Sequence, residues 1–125
     1  MNAPTTSFTQ LFAWQEGHTL VLSIYRIVKT FPRDELFALT SQMRRAAISV
    51  TSNIAEGYSR KSYKEKIQFY YMSLGSLTEL QNQLYIAKDI GYINTKEFNS
   101  TLEHSVKCHK IITGLIVASK NKKYS

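Results

Sequence analysis

Residues 39–57 read LTSQMRRAAISVTSNIAEG and carry the clearest helical pattern in the chain. Apolar side chains recur three and four positions apart, which places them along one face of an α-helix. They are Leu39, Met43, Ala46, Ala47, Val50 and Ile54. The small residues in the middle of this stripe allow a neighbouring helix to come close. We therefore predict a helix from Thr40 to Glu56 that packs along a second helix.

Outside this run, three breaks interrupt an otherwise helical pattern. The first is Pro32, which lacks an N–H and pushes the preceding residue out of the helical region. The second is Gly57, which we expect in the left-handed conformation that ends a helix, while Ser62 and Glu65 form a capping box for the next one. The third is Gly91, again a glycine at which a helix can stop. These breaks divide the chain into four helical segments.

The four segments predict an all-α fold. Apolar residues recur at helical spacing over Leu11–Phe31, Thr40–Glu56, Ser62–Ile90 and Thr95–Ser119. Short connections between long helices make sequential neighbours antiparallel, so we predict an up-down-up-down four-helix bundle. Residues 33–39 leave two alternatives open. Either Asp34 caps a short helical turn before Thr40, or the second helix begins at Asp34 without a break.

A chain of 125 residues has the length of one domain. We assign residues 11–119 to the bundle, residues 1–10 to a disordered N-terminal arm and residues 120–125 to a basic frayed tail. No apolar run reaches the roughly 18 residues of a membrane-spanning helix. The single Cys108 excludes an internal disulfide and fits a reducing compartment. We therefore expect a cytoplasmic protein that does not associate with membranes.

Spacing argues against several classes of enzyme. A carboxylate-bridged di-iron bundle needs a histidine three residues after a glutamate on the same helix, and none of the seven glutamates has one. Phosphate-binding loops need clustered glycines, whereas the five glycines here lie far apart. Cys108 and His109 are adjacent on a helix and point in different directions, which argues against a thiol nucleophile activated by that histidine. We predict no enzyme activity, no metal site and no cofactor.

The net charge favours an anionic partner, because 16 Lys and Arg stand against 9 Asp and Glu, a balance of +7. In an antiparallel bundle, the start of the first helix, the turn between the second and third, and the end of the fourth lie at one end. That end collects seven cations and three carboxylates, namely Arg60, Lys61, Lys64, Lys66, Lys120, Lys122 and Lys123, with Glu16, Glu56 and Glu65. We predict that this end is basic and that the opposite end is neutral.

The basic end supplies most of the candidate contacts to nucleic acid, since phosphate oxygens are bound by Lys and Arg on open faces. Our candidates are Arg60, Lys61, Lys64 and Lys120, followed by Arg44 and Arg45 of the second helix. Tyr58 and Tyr63 flank the basic turn, where aromatic rings can stack on single-stranded bases. Ordinary packing within the bundle is the alternative for these two tyrosines.

The second helix also carries a polar stripe whose members need partners. A buried arginine has to be paired to offset its desolvation. One interpretation is therefore a polar network inside the bundle or between subunits, formed by Arg45, Asn53, Glu56 and Glu79, with Arg44 beside them. The other interpretation places Arg44 and Arg45 on nucleic acid. The sequence leaves both open.

Several motifs together resemble one protein family. They are Phe12-Ala13-Trp14-Gln15, Phe31-Pro32, the run from Leu39 to Ala47, the run from Ser52 to Gly57, and the run from Gly75 to Leu80. In order and spacing they are similar, from about Phe8 to Gly114, to the bacterial four-helix bundle proteins of the 23S rRNA intervening-sequence family, also called S23. The chain departs from this family at Gly17 and Ala38, where alanine and glycine are common.

This resemblance implies a protomer of a homopentameric ring. Some members are encoded inside intervening sequences of 23S rRNA genes. Relatives are accessory proteins of diversity-generating retroelements, in which a basic pentamer binds nucleic acid and a reverse transcriptase. No catalytic residues come with the family. We therefore expect a non-enzymatic, ring-forming protein that binds RNA or DNA through its basic end. The alternative is a protein-interaction scaffold whose charge serves solubility or partner docking.

Overall fold

The structure, a computed structural model, describes residues 6–123 and their side chains through residue 122. In this range the long helices are α1 (Phe12–Val28), α2 (Leu39–Ser59), α3 (Tyr63–Asp89) and α4 (Thr95–Lys123), and no strand occurs. Two short 3-10 helices, Phe8–Gln10 and Arg33–Glu35, precede α1 and α2. Each long helix packs against the next one in the chain, and α4 packs against α1. The predicted up-down-up-down four-helix bundle is confirmed.

The apolar stripe of α2 faces the centre of this bundle. Its buried members are Met43, Ala46, Ala47, Val50 and Ile54. Two hydrogen bonds join the same helix to α3. The Ser73 hydroxyl donates to the Val50 carbonyl at 2.7 Å, and the Ser76 hydroxyl donates to the Ser49 hydroxyl at 2.9 Å. Small side chains on both helices therefore let α2 and α3 approach closely while their polar groups stay satisfied. Within the described range, no helix combines the length and apolarity needed to cross a membrane.

The break around Pro32 contains a short helical turn before α2, as in the first alternative, but Asp34 lies inside this turn and does not cap it. α1 ends at Val28, before the predicted Phe31, and the short turn Arg33–Glu35 follows Pro32 directly. Proline suits this position because its fixed φ and missing N–H cost little just before a helical turn. α2 then begins at Leu39, one residue before the predicted start.

The starts of α3 and α4 are capped by side chains. The Ser62 hydroxyl accepts the Glu65 N–H at 3.2 Å, which is half of the predicted capping box. The Glu65 carboxylate lies 3.4 Å from the Ser62 hydroxyl and makes no hydrogen bond with the Ser62 N–H among the described residues. Before α4, Asn94 accepts the Glu97 N–H at 2.8 Å, and Glu97 accepts the Asn94 N–H at 3.4 Å. This reciprocal pair is a capping box. Gly91 ends the α3 region as predicted, and its φ of 86° is the only positive φ in the described part of the chain.

The prediction for Gly57 is wrong in its mechanism. α2 does not stop there but continues to Ser59, and Gly57 has a helical rather than a left-handed backbone. Gly57 is buried against α3, where a Cβ atom would lie 2.6 Å and 2.9 Å from Cε1 and Cδ1 of the Tyr70 ring. A glycine is therefore required by the close approach of two helices, which local sequence cannot distinguish from a helix stop.

The chain ends differ from the expected arm and tail. Residues 7–10 form a capped turn in which the Gln10 side chain accepts the Ser7 N–H at 3.2 Å. The Phe8 ring packs edge-on against Trp14 at 5.4 Å, so this segment is attached to the bundle. At the other end α4 continues through residue 123, four residues beyond the predicted end at Ser119. Residues 1–5 and 124–125 of the predicted arm and tail lie outside the described residues.

Replacing Gly57 by alanine should destabilise the bundle by about 1–3 kcal/mol, because the added methyl group overlaps the Tyr70 ring. The measurement is urea unfolding followed by circular dichroism. Gly114 is the matched control, since it also lies inside a helix but an added Cβ would meet nothing within 4 Å. Alanine at residue 114 should stabilise the protein by about 0.5–1 kcal/mol. Equal effects of the two substitutions would contradict the role given to Gly57.

Candidate nucleic-acid interface

The start of α1, the turn between α2 and α3, and the end of α4 meet at one end of the bundle. A cavity at this end is lined by Leu11 before α1, Tyr58 of α2, Tyr63 of α3 and Lys122 of α4, among others. We call this end the basic pole. We define it by its charged side chains, Arg60, Lys61, Lys64, Lys66, Lys120, Lys122, Glu56 and Glu65.

The turn itself contributes three of the predicted contacts. Arg60 is partly engaged, because its Nη2 lies 3.2 Å from Glu56 Oε2 and its guanidinium lies 4.5 Å from the centre of the Phe69 ring. This ion pair is exposed and contributes little to stability. Lys61 and Lys64 are exposed and make no hydrogen bond or ion pair to any residue that the structure describes. Two of the three side chains are therefore open to an anionic ligand.

Lys120, the fourth predicted contact at this pole, is anchored across the α3–α4 interface. Its Nζ donates to the Tyr71 hydroxyl at 2.8 Å and lies 5.3 Å from the centre of the same ring. Both side chains are exposed. The tyrosine fixes the direction of Lys120 without neutralising its charge, because a phenol carries no charge at neutral pH.

Lys66 is a candidate functional residue that the sequence analysis missed. It was included in the charge of this end but not among the candidate contacts. It is half-buried, and its Nζ donates to the carbonyl oxygens of Tyr58 at 2.6 Å and Gly57 at 3.5 Å. These carbonyls belong to the last turn of α2, where backbone acceptors lack helical partners. Burial lowers the pKa of Lys66. The sequence feature that could have predicted this contact is the short α2–α3 turn, because it brings a lysine in the first turn of α3 beside the end of α2.

Glu16 does not belong to the basic pole, which corrects the charge assignment made from sequence. Its Oε1 lies 3.0 Å from Lys107 Nζ and 3.3 Å from His104 Nε2, both in the middle of α4. The hydrogen bond from Lys107 holds the pKa of Glu16 below its usual range, and partial burial opposes this shift. Without Glu16, the basic pole has two carboxylates. It has six cations among the described side chains, because the side chain of Lys123 lies outside the described residues.

Arg44 and Arg45 lie away from the basic pole, since the 15 residues from Arg45 to Arg60 span about 22 Å of helix. Arg44 is half-buried, with its guanidinium 5.3 Å from the centre of the Tyr25 ring, and its buried Nε makes no hydrogen bond within the described residues. Arg45 is exposed. The structure brings four of the six predicted contacts to one surface and places these two arginines on another part of α2.

The sequence pattern of the 23S rRNA-intervening sequence protein family matches residues 9–114. The chain belongs to this family. One similar solved structure is a protein of unknown function from the S23 ribosomal protein family of Bacteroides thetaiotaomicron. It matches with a TM-score of 0.77 and 19% identity, over 83% of this chain and 97% of that chain. Such a likeness shows the shared fold alone. No curated protein sequence matches the chain.

The four residues of the predicted polar network do not bond to one another within the described protomer. Asn53 donates to the Ser49 carbonyl at 2.9 Å, Glu56 pairs with Arg60, and Glu79 accepts from Gln83 at 3.3 Å. No hydrogen bond or ion pair within residues 6–122 joins Arg45, Asn53, Glu56 and Glu79 to one another. Each bonded member pairs within its own helix. A network between subunits stays a prediction.

The neighbour of Cys108 is His104 rather than His109. The Cys108 sulfur lies 3.9 Å from His104 Nε2, and the same nitrogen faces Glu16. Burial raises the pKa of Cys108 to about 12, so the thiol stays protonated at neutral pH and is a poor nucleophile. Among the described residues, no group of three His, Cys, Asp or Glu side chains could hold a metal ion.

Replacing Glu16 by glutamine should lower the free energy of unfolding at pH 7 by about 0.5–1 kcal/mol, because the ion pair from α1 to Lys107 is lost. The folded-state pKa of Glu16 lies below its usual 4.5. The wild-type protein should therefore lose this contribution as the pH falls below about 4.5 and Glu16 takes up a proton, whereas the variant should not.

Urea unfolding of both proteins at pH 7 and pH 3 measures this difference. Glu103→Gln is the control, because Glu103 is exposed on α4 and makes no ion pair with any described residue. A Glu16→Gln difference from wild type that is the same at both pH values would contradict the assignment.

Proposed function

We propose that this protein is a non-enzymatic, ring-forming four-helix bundle that binds RNA or DNA through the basic pole. One observation carries the proposal: six cations and two carboxylates, counted over the described side chains, lie at one end of the bundle. Phosphate contacts of this kind give binding that weakens steeply with salt and has little sequence preference. Membership in a family named for 23S rRNA intervening sequences supports an RNA-related role.

The proposed assembly is a homopentamer, as the family resemblance implies. In a cyclic ring all protomers point the same way, so the basic poles would form one continuous face. Such a face could contact many phosphates at once, which strengthens binding through several weak sites. The resemblance also supports a reverse transcriptase as a protein partner. We place the protein in the bacterial cytoplasm, which suits the single buried thiol of Cys108.

A second candidate function is a protein-interaction scaffold. It is favoured by Phe37, which is 93% exposed beside the also exposed Leu36, in the segment before α2. Exposed apolar side chains at a neutral surface are typical of docking sites for other proteins. In this case the charge of the basic pole would serve solubility or the docking of an acidic partner.

Replacing Arg60, Lys61 and Lys64 together by alanine should weaken binding to RNA on the order of 10- to 100-fold at low salt and reduce the salt slope by about 2–3. The reason is the loss of up to three phosphate contacts. Fluorescence anisotropy with a labelled rRNA fragment at two salt concentrations measures both quantities. Light scattering confirms that the variant keeps the mass of the wild-type assembly.

The matched control removes the same charge from the opposite end, by replacing Lys29, Arg33 and Lys96 with alanine. All three side chains are exposed there. This variant should bind RNA nearly as well as wild type. Equal losses in the two variants, or unchanged affinity in the first, would favour the scaffold function instead.

A further inference from the structure

The basic pole contains a half-open cavity of about 390 Å³. Its polar lining comes from α2, α3 and α4 and consists of Tyr58, Tyr63, Lys66, Tyr70, Ser119 and Lys122. We call it the tyrosine–lysine cavity. Its volume lies in the range of pockets that take small ligands, and is larger than a lone phosphate requires. Its lining combines aromatic rings with ammonium groups, the combination used to hold single-stranded nucleic acid.

Tyr70 supplies the first sign that this cavity takes a ligand. Its side chain is 2% exposed, with the ring packed against Gly57. It lines the cavity, and its hydroxyl makes no hydrogen bond within the described part of the chain. Burial raises its pKa to about 12, with the nearby phenols of Tyr63 and Tyr58 adding to the shift. The hydroxyl opens into the cavity rather than being sealed in the core, so it can donate to a ligand there.

Lys66 supplies the second sign. Two of its three N–H bonds are directed at the carbonyls of Tyr58 and Gly57, and one N–H remains. The ammonium lies 5.4 Å from the Tyr58 ring centre and 5.9 Å from the Tyr63 ring centre. Lys66 is thereby held in a fixed position beside two aromatic rings. An anionic group can bind it there without ordering a flexible side chain.

We propose that the tyrosine–lysine cavity receives one unpaired nucleotide of the nucleic acid bound at the basic pole. The base packs against the Tyr63 ring, the Tyr70 hydroxyl donates to the nucleotide, and a phosphate oxygen binds Lys66. A paired base stays in its stack and does not enter a cavity between helices. The inference rests on the proposed function and adds to it a preference for single-stranded over duplex nucleic acid.

The test compares a labelled 15-nucleotide single-stranded RNA with a blunt duplex of the same sequence, using fluorescence anisotropy. Tyr63→Leu removes the aromatic face, and should lower affinity for the single strand about tenfold while leaving duplex affinity unchanged. Tyr70→Phe removes only a hydroxyl and should lower single-strand affinity a few-fold. Tyr85→Leu is the control, since Tyr85 is another tyrosine of α3, more exposed than Tyr63, and packs on Phe98 far from the cavity.

A second readout needs no variant. A nucleoside 5′-monophosphate titrated into the wild-type protein should shift the ring NMR signals of Tyr63 and Tyr70 and leave those of Tyr85 unchanged. Absence of any shift at millimolar nucleotide would overturn the assignment of the cavity.

The outcomes separate the two proposals. If the wild-type protein binds both RNAs equally and Tyr63→Leu changes neither affinity, the cavity is not a nucleotide site, although the basic pole still binds nucleic acid. Equal losses on single strand and duplex also overturn the cavity assignment. If the wild-type protein binds neither RNA, the proposed function itself fails, and the inference fails with it.

Discussion

The contact between Gly57 and Tyr70 is the constraint on which the basic pole depends. The turn between α2 and α3 spans only residues 60–62, so the last turn of α2 must lie against the first turns of α3. The absence of a side chain at Gly57 allows this, because any Cβ would overlap the Tyr70 ring. The same approach buries Tyr70 and brings Lys66 to the carbonyls of α2. The tyrosine–lysine cavity and the hydrogen bonds from Lys66 to the α2 carbonyls both depend on this one contact.

The helix dipoles account for only part of the charge of the basic pole. The ends of α2 and α4 lie at this pole, and cations there are favourable. The start of α3 lies there too, where the dipole favours anions. Glu65 suits that position, but Lys61 and Lys64 oppose it and make no ion pair with any described residue. The position of these lysines is consistent with the proposed binding of an anion at the basic pole.

Local sequence patterns predicted most of the fold. The spacing of apolar residues, the capping residues and the helix-breaking residues each depend on only a few neighbouring positions. The stripe of α2 and the Ser62 cap are examples. What the sequence could not show depends on residues distant in the chain. Glu16 pairs with Lys107 of another helix, and its sequence position alone suggested the basic pole. Gly57 was predicted to end a helix, because the sequence does not show that the Tyr70 ring lies beside it. The sequence shows that Lys66 is charged, but its hydrogen bonds to the α2 carbonyls could be identified only once α2 and α3 were packed together.

The basic pole and the exposed Phe37, the two surfaces from which the candidate functions are argued, lie at opposite ends of the molecule. α3 has 27 residues and is about 40 Å long, so the basic pole is far from the exposed Phe37. A ring with parallel protomers would carry a basic face on one side and a neutral face with repeated apolar side chains on the other. Nucleic acid and a protein partner could therefore bind the same ring together. The basic face would then hold the nucleic acid while the neutral face positions the protein that acts on it.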